Sequence, residues 1–444
     1  MPALTTEAEV LIAGAGPVGL FTALILGQAG ISVTIIEKDS GLSQLPRACM
    51  FYPQVQFALD KAKVYNDLIR KGGGFKTTGL DIRLPPLLNS DRGRQCGQLV
   101  ASFPKEDAAE FNPNGPPRAP MNGPPAISML NIPQSQMSQV LMDKAVETGH
   151  VRVLFGTELI SIEHDGSGED DTGVSIQVKH LASNVESQYK ASFLIGADGG
   201  KSTTRSLLGI PFPGHTWPEK LVATDVWLHN DDDGPITTTL LMDPVHYTIL
   251  SPLTRPIRGE VSKWRVTFAL NPEEVKIKGD EDFLTDEYIA QHYDRVWVGP
   301  RPLSHKIDRR ATYTVHQRLA ANLTKGRCLL VGDAAHVNNV IGGLGLSNGL
   351  LGSVALSDAL IMILREGKPA GPVLTMYSDE RRQVFQFFID PVSSWSKLRI
   401  QSGELDDWFF RCLNDTSSPA FAKYIETLEN FWPTHIRDTA KVLS

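Results

Sequence analysis

The feature that most constrains this chain is a glycine-rich turn near its start, Gly14-Ala15-Gly16-Pro17-Val18-Gly19. An apolar stretch, 9–12, precedes the turn and an Ala- and Leu-rich stretch, 20–28, follows it. The pattern predicts a strand, a tight turn and a helix that Gly30 ends. The β-branched stretch 32–36 predicts a second, parallel strand. A Gly-x-Gly-x-x-Gly motif in such a β-α-β unit is typical of a site for the pyrophosphate of a dinucleotide.

The three glycines have different predicted roles. Gly14 permits the tight turn, Gly16 lets the backbone approach a pyrophosphate, and Gly19 allows the helix to pack closely on the strand. The N-terminus of the helix offers N–H groups and a partial positive charge to that anion. Glu37 ends the second strand, where its carboxylate can accept hydrogen bonds from an adenosine ribose. The motif alone does not distinguish FAD from NAD.

Composition limits the partners and the compartment. With 444 residues the chain has room for two or three domains. Its net charge of −7 argues against nucleic acid and against a polybasic membrane patch as partners. The N-terminus lacks a secretory signal pattern, and the four cysteines lie far apart, without a metal-ligand spacing. We therefore expect a cytoplasmic protein with no metal site and no membrane partner. The cysteines are Cys49, Cys96, Cys328 and Cys412.

The composition and the spacing of apolar residues change along the chain. Residues 103–133 are rich in Pro, Gly and Asn and predict a long surface excursion. Between 212 and 307, alternating apolar residues separated by turn clusters predict a separate antiparallel sheet. From 375 to the end the pattern is mostly helical, and it leaves open whether this region is a homodimer surface, a lid or part of the core.

Two later motifs predict further ligand contacts at strand ends. Asp198-Gly199 follows an apolar strand and precedes a predicted helix that includes Arg205. Gly332-Asp333 follows a second apolar strand, and a glycine-rich stretch, 342–346, comes after it. In open α/β sheets ligands bind at the carboxyl ends of strands, where an Asp can accept hydrogen bonds from a polyol. A glycine-rich helix start can approach a flat ring and stabilise negative charge on it. We interpret the nearby His336 as a packing residue.

The three motifs follow one another in the same order as in the flavoprotein aromatic hydroxylases. The chain strongly resembles that family over residues 8–385. The resemblance implies an α/β (α+β overall) fold. A discontinuous, Rossmann-like FAD-binding domain would comprise 1–82, 128–211 and 306–374. A mixed or antiparallel substrate-binding sheet domain would comprise 83–127 and 212–305, followed by a helical region, 375–444. The FAD-binding residues it implies are Gly14, Gly16, Pro17, Gly19, Glu37, Lys38, Arg47, Gln134, Asp198, Arg205, Gly332, Asp333, Gly343, Gly345 and Leu346.

The resemblance also implies the activity. It predicts a monooxygenase that consumes NADPH or NADH and O2, forms a flavin hydroperoxide and hydroxylates a small aromatic, phenol-like molecule. The family usually has two prolines where this chain has Asn339-Val340, which predicts a flavin loop less fixed in φ. That departure keeps open an oxidase, reductase or cyclase on the same fold. A non-enzymatic flavin-binding protein is a third hypothesis.

The substrate side is less constrained by the sequence. His246 and Tyr247 are our candidates for a residue that activates a phenol, with half-buried strand residues as the alternative. Arg265 is a candidate for pairing a substrate carboxylate, with a solvated strand charge as the alternative. Three residues near the Pro-rich stretch either line the pocket or simply pack: Phe103, Met121 and Met129.

Overall fold

The computed structural model describes residues 6–77, 79–89, 93–103, 129–164 and 173–443. Most of the Pro-rich stretch, with Met121, lies outside these residues. The strands are β1 (Thr6–Ala13), β2 (Val33–Ile36), β3 (Met50–Phe51), β4 (Phe75–Thr77), β5 (Leu80–Arg83), β6 (Leu87–Asn89), β7 (Gly93–Gln95), β8 (Leu99–Ser102), β9 (Met129–Asn131), β10 (Val151–Leu154), β11 (Thr157–His164), β12 (Val174–His180), β13 (Val185–Gly196), β14 (Gly214–His229), β15 (Thr238–Leu241), β16 (Thr248–Pro252), β17 (Val261–Ala269), β18 (His305–Leu319), β19 (Thr324–Lys325), β20 (Cys328–Leu330) and β21 (His336–Val337). The helices are α1 (Pro17–Gln28), α2 (Pro53–Lys61), α3 (Tyr65–Arg70), α4 (Gln134–Glu147), α5 (Thr203–Leu207), α6 (Pro272–Val275), α7 (Asp286–Val296), α8 (Leu344–Leu364), α9 (Ala370–Val384), α10 (Asp390–Ser402), α11 (Trp408–Asn414), α12 (Pro419–Glu426) and α13 (Ile436–Thr439).

The first sheet has the order β10-β2-β1-β13-β12-β11, and β20 pairs with β13. Strands β10, β2, β1, β13 and β20 run parallel, and all four residues of β2 are buried, as the β-branched sequence predicts. Ala13 is in register with Gly196, and Gly196 with Leu330. The residues that follow these three strands therefore meet at one edge of the sheet, and they are the three motifs found in the sequence.

Two apolar helices cover this sheet near that edge. Helix α1 packs against α4 and α8, and most of its residues are buried. Helix α8 is long and apolar enough to cross a membrane by length and composition alone. However, 72% of its most apolar window is buried inside the protein. Packing against α1, α2 and α9 therefore accounts for its apolar sequence.

The second sheet has the order β21-β18-β14-β17-β16-β15-β5-β8 and carries a core on each face. Val226, Trp264 and Val266 belong to a core that includes residues of α7. Leu221 and Ala269 point the other way and belong to the core of the first sheet. Because side chains alternate along a strand, the residues in phase with Leu221 and Ala269 face the nucleotide-binding side.

Residues 53–70 form two helices, α2 and α3, and Lys63 between them has φ 58°. The structure confirms most predicted elements but differs in two places. Strand β18 was not recognised in the sequence. Finally, the sheets do not follow the predicted domain limits: β18 and β5 both belong to the second sheet, whereas residues 306–319 and 80–82 were assigned to the FAD-binding domain. The division into domains itself stays a prediction.

Candidate active site

The glycine turn after β1 has the geometry that its sequence predicts. Gly14 has φ +107°, and a Cβ there would lie 2.5 Å from the backbone oxygen of Ala197. A Cβ on Gly19 would lie 2.2 Å from the oxygen of Gly14, so only glycine lets α1 pack this closely. A Cβ on Gly16 would meet no atom of the described chain within 4 Å. Gly16 is also the N-cap of α1, and Pro17 begins the helix, so open space adjoins helix N–H groups that attract an anion.

Glu37 lies beside this turn. One oxygen of its carboxylate accepts a hydrogen bond from the Ala15 N–H at 2.8 Å, and the other accepts one from the Asp39 N–H at 3.0 Å. The side chain is half-buried at the end of β2, as expected of a ribose-binding residue. Its neighbour Lys38 is exposed. The structure thus ties Glu37 to the pyrophosphate turn, while its contact with a ribose stays a prediction.

The Asp-Gly motif is held by hydrogen bonds within the protein. The Asp198 carboxylate accepts hydrogen bonds from the hydroxyls of Ser202 and Thr204. It also accepts one from the Thr204 N–H at 2.9 Å. Arg205 is buried, and burial lowers the pKa of its guanidinium. It donates to the backbone oxygens of Gly200 at 2.8 Å and Ala334 at 2.9 Å. Asp198 and Arg205 therefore organise the site through protein contacts, and direct contact with a cofactor stays a prediction.

The Gly-Asp motif places a carboxylate at the same sheet edge. Gly332 has φ +62° and packs against Val18 of α1. The Asp333 side chain is exposed to solvent. Desolvation raises the pKa of the Asp333 carboxyl, and the nearby Arg47 guanidinium partly offsets this shift. Gln134 begins α4 and donates its N–H to the oxygen of Ala48 at 3.1 Å, next to Arg47.

The glycine-rich stretch leads into the N-terminus of α8. Gly343 is its N-cap with φ +66°, and among the described residues no side chain caps this end of the helix. A Cβ on Gly343 would lie 2.8 Å from the Met50 methyl carbon, so the turn also passes close to β3. Gly345 and Leu346 lie in the first turn of α8, whose N–H groups favour negative charge on a neighbouring ring.

The loop that lacks the usual prolines is held by hydrogen bonds. Asn339 is buried, and its side-chain oxygen accepts a bond from the Ile341 N–H at 3.0 Å, which forms an Asx turn. Its own N–H donates to Gln317 at 3.0 Å. Gln317 in turn donates to Asp390 at 2.8 Å and to Ser393 at 3.0 Å. Distant side chains therefore restrain this loop by hydrogen bonds, while its greater freedom in φ relative to a proline-containing loop stays a prediction.

His336 packs as predicted. It is buried, stacks on Phe385, and its Nε2 bonds to the Asn348 side chain at 2.9 Å. Desolvation, with the nearby Arg381 charge, lowers the pKa of His336 to about 3. The ring is therefore neutral at physiological pH. Arg381 also donates to the backbone oxygens of Asn348 and Trp432. These two hydrogen bonds link α8, the helix that follows the Gly-Asp motif, to the C-terminal region.

The two candidate bases are engaged in protein contacts. His246 faces Ala269, whose backbone oxygen lies 2.9 Å from its Nδ1, and it is only half-buried. Tyr247 is fully buried and donates to Glu219 at 2.8 Å. Burial and the Glu219 charge raise the pKa of the Tyr247 hydroxyl far above its usual range. Glu219 also pairs with Lys397 at 2.7 Å. This geometry argues against both residues as substrate-activating bases.

Sequence reasoning missed the partner of Arg265. Arg265 is 6% exposed and is not a solvated charge: its Nε and Nη2 both donate to one oxygen of Asp225, at 2.8 and 2.6 Å. The two residues are cross-strand partners on β17 and β14. They alternate with Val226, Trp264 and Val266, so they lie on the sheet face toward the nucleotide-binding side.

Two of the residues near the Pro-rich stretch, Phe103 and Met129, are both buried, and Phe103 packs against Tyr424.

Comparison with known proteins identifies the family. A family model described as "FAD binding domain" matches residues 7–391. The chain belongs to this family. Para-nitrophenol 4-monooxygenase of Pseudomonas sp. (strain WBC-3) is 30% identical over 390 residues, which are 87% of this chain and 85% of that protein. The 6-hydroxy-3-succinoylpyridine 3-monooxygenase HspB of Pseudomonas putida (strain DSM 28022 / S16) is 28% identical over 397 residues, 88% of either chain.

A solved structure agrees with these relatives. The crystal structure of p-nitrophenol 4-monooxygenase PnpA from Pseudomonas putida DLL-E4 superposes with a TM-score of 0.73 and 27% identity, covering 100% of this chain and 97% of that one. This chain is thus an FAD-dependent aromatic monooxygenase. These relatives imply a small aromatic substrate together with O2, and NAD(P)H is the typical co-substrate of such enzymes.

The residues present fit the cofactor. The open space at Gly16 adjoins the N-terminus of α1, where a pyrophosphate needs N–H donors. Asp333 is accessible at the same sheet edge and faces the positive charge of Arg47. The N-terminus of α8 adds further N–H groups beyond Gly343. Phosphate, polyol and ring can therefore all be contacted from one edge of the first sheet.

Proposed function

We propose that this chain uses FAD and NAD(P)H to hydroxylate a small phenol, and that 4-nitrophenol is the first substrate to test. The observation that carries this proposal is the convergence of Gly16, Asp333 and the α8 N-terminus at one edge of the first sheet. The choice of phenol rests on the relatives named for para-nitrophenol. Cytoplasmic location and a homodimer stay predictions.

The protein's part in the reaction is to bind, orient and exclude water. Bound FAD supplies electron transfer and oxygen activation. Gly14, Gly16 and Gly19 shape the pyrophosphate turn, and Glu37 and Asp333 offer acceptors for ribose and ribityl hydroxyls. Arg205 holds Gly200 and Ala334 in place through its two backbone contacts. We assign the aromatic substrate to the face of the second sheet that points toward the nucleotide-binding side.

The hypothesis of an oxidase, reductase or cyclase depended on the altered loop at Asn339-Val340. Asn339 and Gln317 restrain that loop by hydrogen bonds, which supports hydroxylation over these reactions. No described contact favours these reactions over hydroxylation.

The test is a spectrum followed by turnover. The aerobically purified protein should be yellow, and its oxidation of NADPH or NADH should rise with 4-nitrophenol or another phenol. The product should carry one oxygen atom from ¹⁸O2. Asp308→Asn, a surface carboxylate on β18, is the control for Asp333→Asn, which should weaken FAD retention. A yellow protein that oxidises neither nicotinamide with any phenol would contradict the proposal, as would a colourless protein that cannot be reconstituted with FAD.

A further inference from the structure

A small cavity lies between the second sheet, the loop before α8 and the C-terminal helices, and its volume is about 30 Å³. Leu80, Ile82 and Leu240 form its sheet wall, and all three belong to the core on the nucleotide-binding side of that sheet. Tyr52 and Gly342 also line it, and the Tyr52 hydroxyl donates to the Gly342 oxygen. Since Gly342 directly precedes the N-cap of α8, the cavity adjoins the helix start that would contact the flavin ring.

The C-terminal region supplies the rest of the wall. Val392 of α10 and Phe410 and Leu413 of α11 line the cavity. Helix α11 is held against the second sheet, because the Asn414 side chain at its end donates to the Val100 oxygen of β8 at 2.8 Å. These contacts place part of the C-terminal region beside the proposed substrate site, which its helical sequence alone did not indicate.

The chemistry of the wall favours an apolar group. Among the described residues that line the cavity, Arg399 alone carries a charge, and it already donates to Asp407 at 2.9 Å and lies over the Phe409 ring. Ser396 and Tyr424 add hydroxyls, and burial raises the pKa of the Tyr424 hydroxyl well above its usual range, so both are neutral. A charged group would be buried here without a counter-ion of its own, whereas an alkyl group gains from burial.

The volume of the cavity limits the size of that group. A group as large as a water molecule needs about 10–15 Å³, so a cavity of about 30 Å³ holds two groups of methyl size. A longer chain requires a wall residue to move. The two leucines on facing elements, Leu240 of β15 and Leu413 of α11, are both buried and leave no room beyond them.

We propose that the cavity receives an alkyl substituent of one or two carbon atoms on the ring of the phenol, and that Leu240 and Leu413 set the size that is admitted. This inference rests on the proposed function and names the substrate class of that site, a small alkylphenol. The phenol ring then lies beside the α8 N-terminus, and its substituent points away from that helix toward α11.

The experiment measures the Kd of phenols from the change in the flavin spectrum of the FAD-loaded protein. The probes are phenol, the three isomers of ethylphenol, and the butyl and carboxylate analogues of the isomer that binds best. Leu240→Ala and Leu413→Ala enlarge the cavity, and Ser396→Leu fills it. Leu241→Ala is the matched control, because Leu241 is the next residue of β15, is buried to a similar degree and belongs to the core on the other face.

In the wild-type protein the best ethylphenol should bind about 10-fold more tightly than phenol, the value of burying two carbon atoms. Its butyl and carboxylate analogues should bind at least about 10-fold more weakly than the ethylphenol. In both enlarged variants the butylphenol should become the tighter ligand, and Ser396→Leu should bind phenol and the ethylphenol equally. Leu241→Ala should keep the wild-type order, although it is destabilised to a similar extent as Leu240→Ala.

Three results would overturn the inference: equal Kd values for phenol and all three ethylphenols, binding of none of these phenols, or the wild-type order in every cavity variant. If Leu240→Ala does not fold, Leu413→Ala and Ser396→Leu decide, since they change other elements. The proposed function fails separately. If the ethylphenol binds in the expected order but no nicotinamide is oxidised, the hydroxylase proposal is contradicted while the cavity assignment stands. If turnover of phenols ignores substituent size in every variant, the hydroxylase proposal stands and the cavity assignment is refuted.

Discussion

Arg205 donates a hydrogen bond to the backbone oxygen of Ala334 at 2.9 Å, and this contact joins two motifs that lie 129 residues apart. Its other terminal nitrogen bonds to Gly200, and its guanidinium lies over the Phe212 ring at 3.8 Å. Since Ala334 follows Asp333 directly, Arg205 fixes the backbone that presents the Asp333 carboxylate. A residue whose sequence context suggested a ligand contact thus acts between two parts of the protein.

Replacing Arg205 by Met should therefore lower both stability and FAD affinity. The change leaves the buried Ala334 oxygen and the half-buried Gly200 oxygen without their donor, and we expect a loss of about 2–4 kcal/mol in the free energy of unfolding. Denaturant unfolding and FAD titration measure the two effects. Arg437→Met is the control: its ion pairs with Asp358 and Glu366 are surface contacts, worth at most about 1 kcal/mol. Equal effects of the two variants would contradict the assigned role.

The glycine turn permits a separation of folding from cofactor binding. Gly16→Ala adds a methyl group to open space, so the apoprotein should keep its Tm while FAD affinity falls at least about 10-fold. Gly19→Ala puts the methyl group against the Gly14 oxygen and should destabilise the apoprotein by about 1–3 kcal/mol. Gly371→Ala, also in open space, controls for glycine replacement in a helix. Unchanged FAD affinity in Gly16→Ala would refute a pyrophosphate site there.

Local steric demands explain why the nucleotide-binding side could be predicted from sequence. A Cβ would be crowded by the backbone or by a neighbouring side chain at three positions: Gly14, Gly19 and Gly332. The sequence shows such positions directly, because each is a glycine between an apolar strand and a helix. The strand ends that they follow are buried runs of apolar residues. The motifs and their edge of the sheet therefore follow from short-range patterns.

The substrate side depends on contacts that no local pattern shows. Arg265 and Asp225 are 40 residues apart and meet only because β17 pairs with β14 in one register. Asn339 is restrained by Gln317, 22 residues earlier, so its sequence alone suggested a looser loop. Strand β18 was missed because its charged residues, among them Arg309 and Arg310, obscure the alternation of a strand.

Tyr247→Phe tests whether that tyrosine is structural. Loss of the hydroxyl removes the bond to Glu219, while Glu219 keeps Lys397, so we expect a loss of about 1–2 kcal/mol in stability. The kcat, the KM for the phenol and the pH profile should be unchanged. Tyr288→Phe, which removes a hydroxyl bonded to Glu274, is the matched control. A fall in kcat/KM of about 10²-fold or more would instead show that Tyr247 acts as an acid or base.

Buried His336 should make stability depend on pH in acid. Its pKa is about 3 in the folded protein, against an ordinary value of about 6.5 for an unfolded chain. Above about pH 6.5 the ring is neutral in both states, so this difference adds no pH dependence. Between about pH 6.5 and pH 3 only the unfolded chain takes up the proton, and the free energy of unfolding falls by up to about 1.4 kcal/mol per pH unit.

His336→Gln should remove this contribution, which urea unfolding of the FAD-loaded protein from pH 7 to pH 4 can measure. The variant is expected to be less stable than wild type at pH 7, because the ring no longer stacks on Phe385, but its stability should fall less steeply with acid. Some acid sensitivity stays, since burial also lowers the pKa of His292. The exposed His435→Gln serves as the control and should keep the wild-type slope. If His336→Gln keeps that slope as well, His336 is protonated in the folded protein and its neutral packing beside Asn348 is refuted.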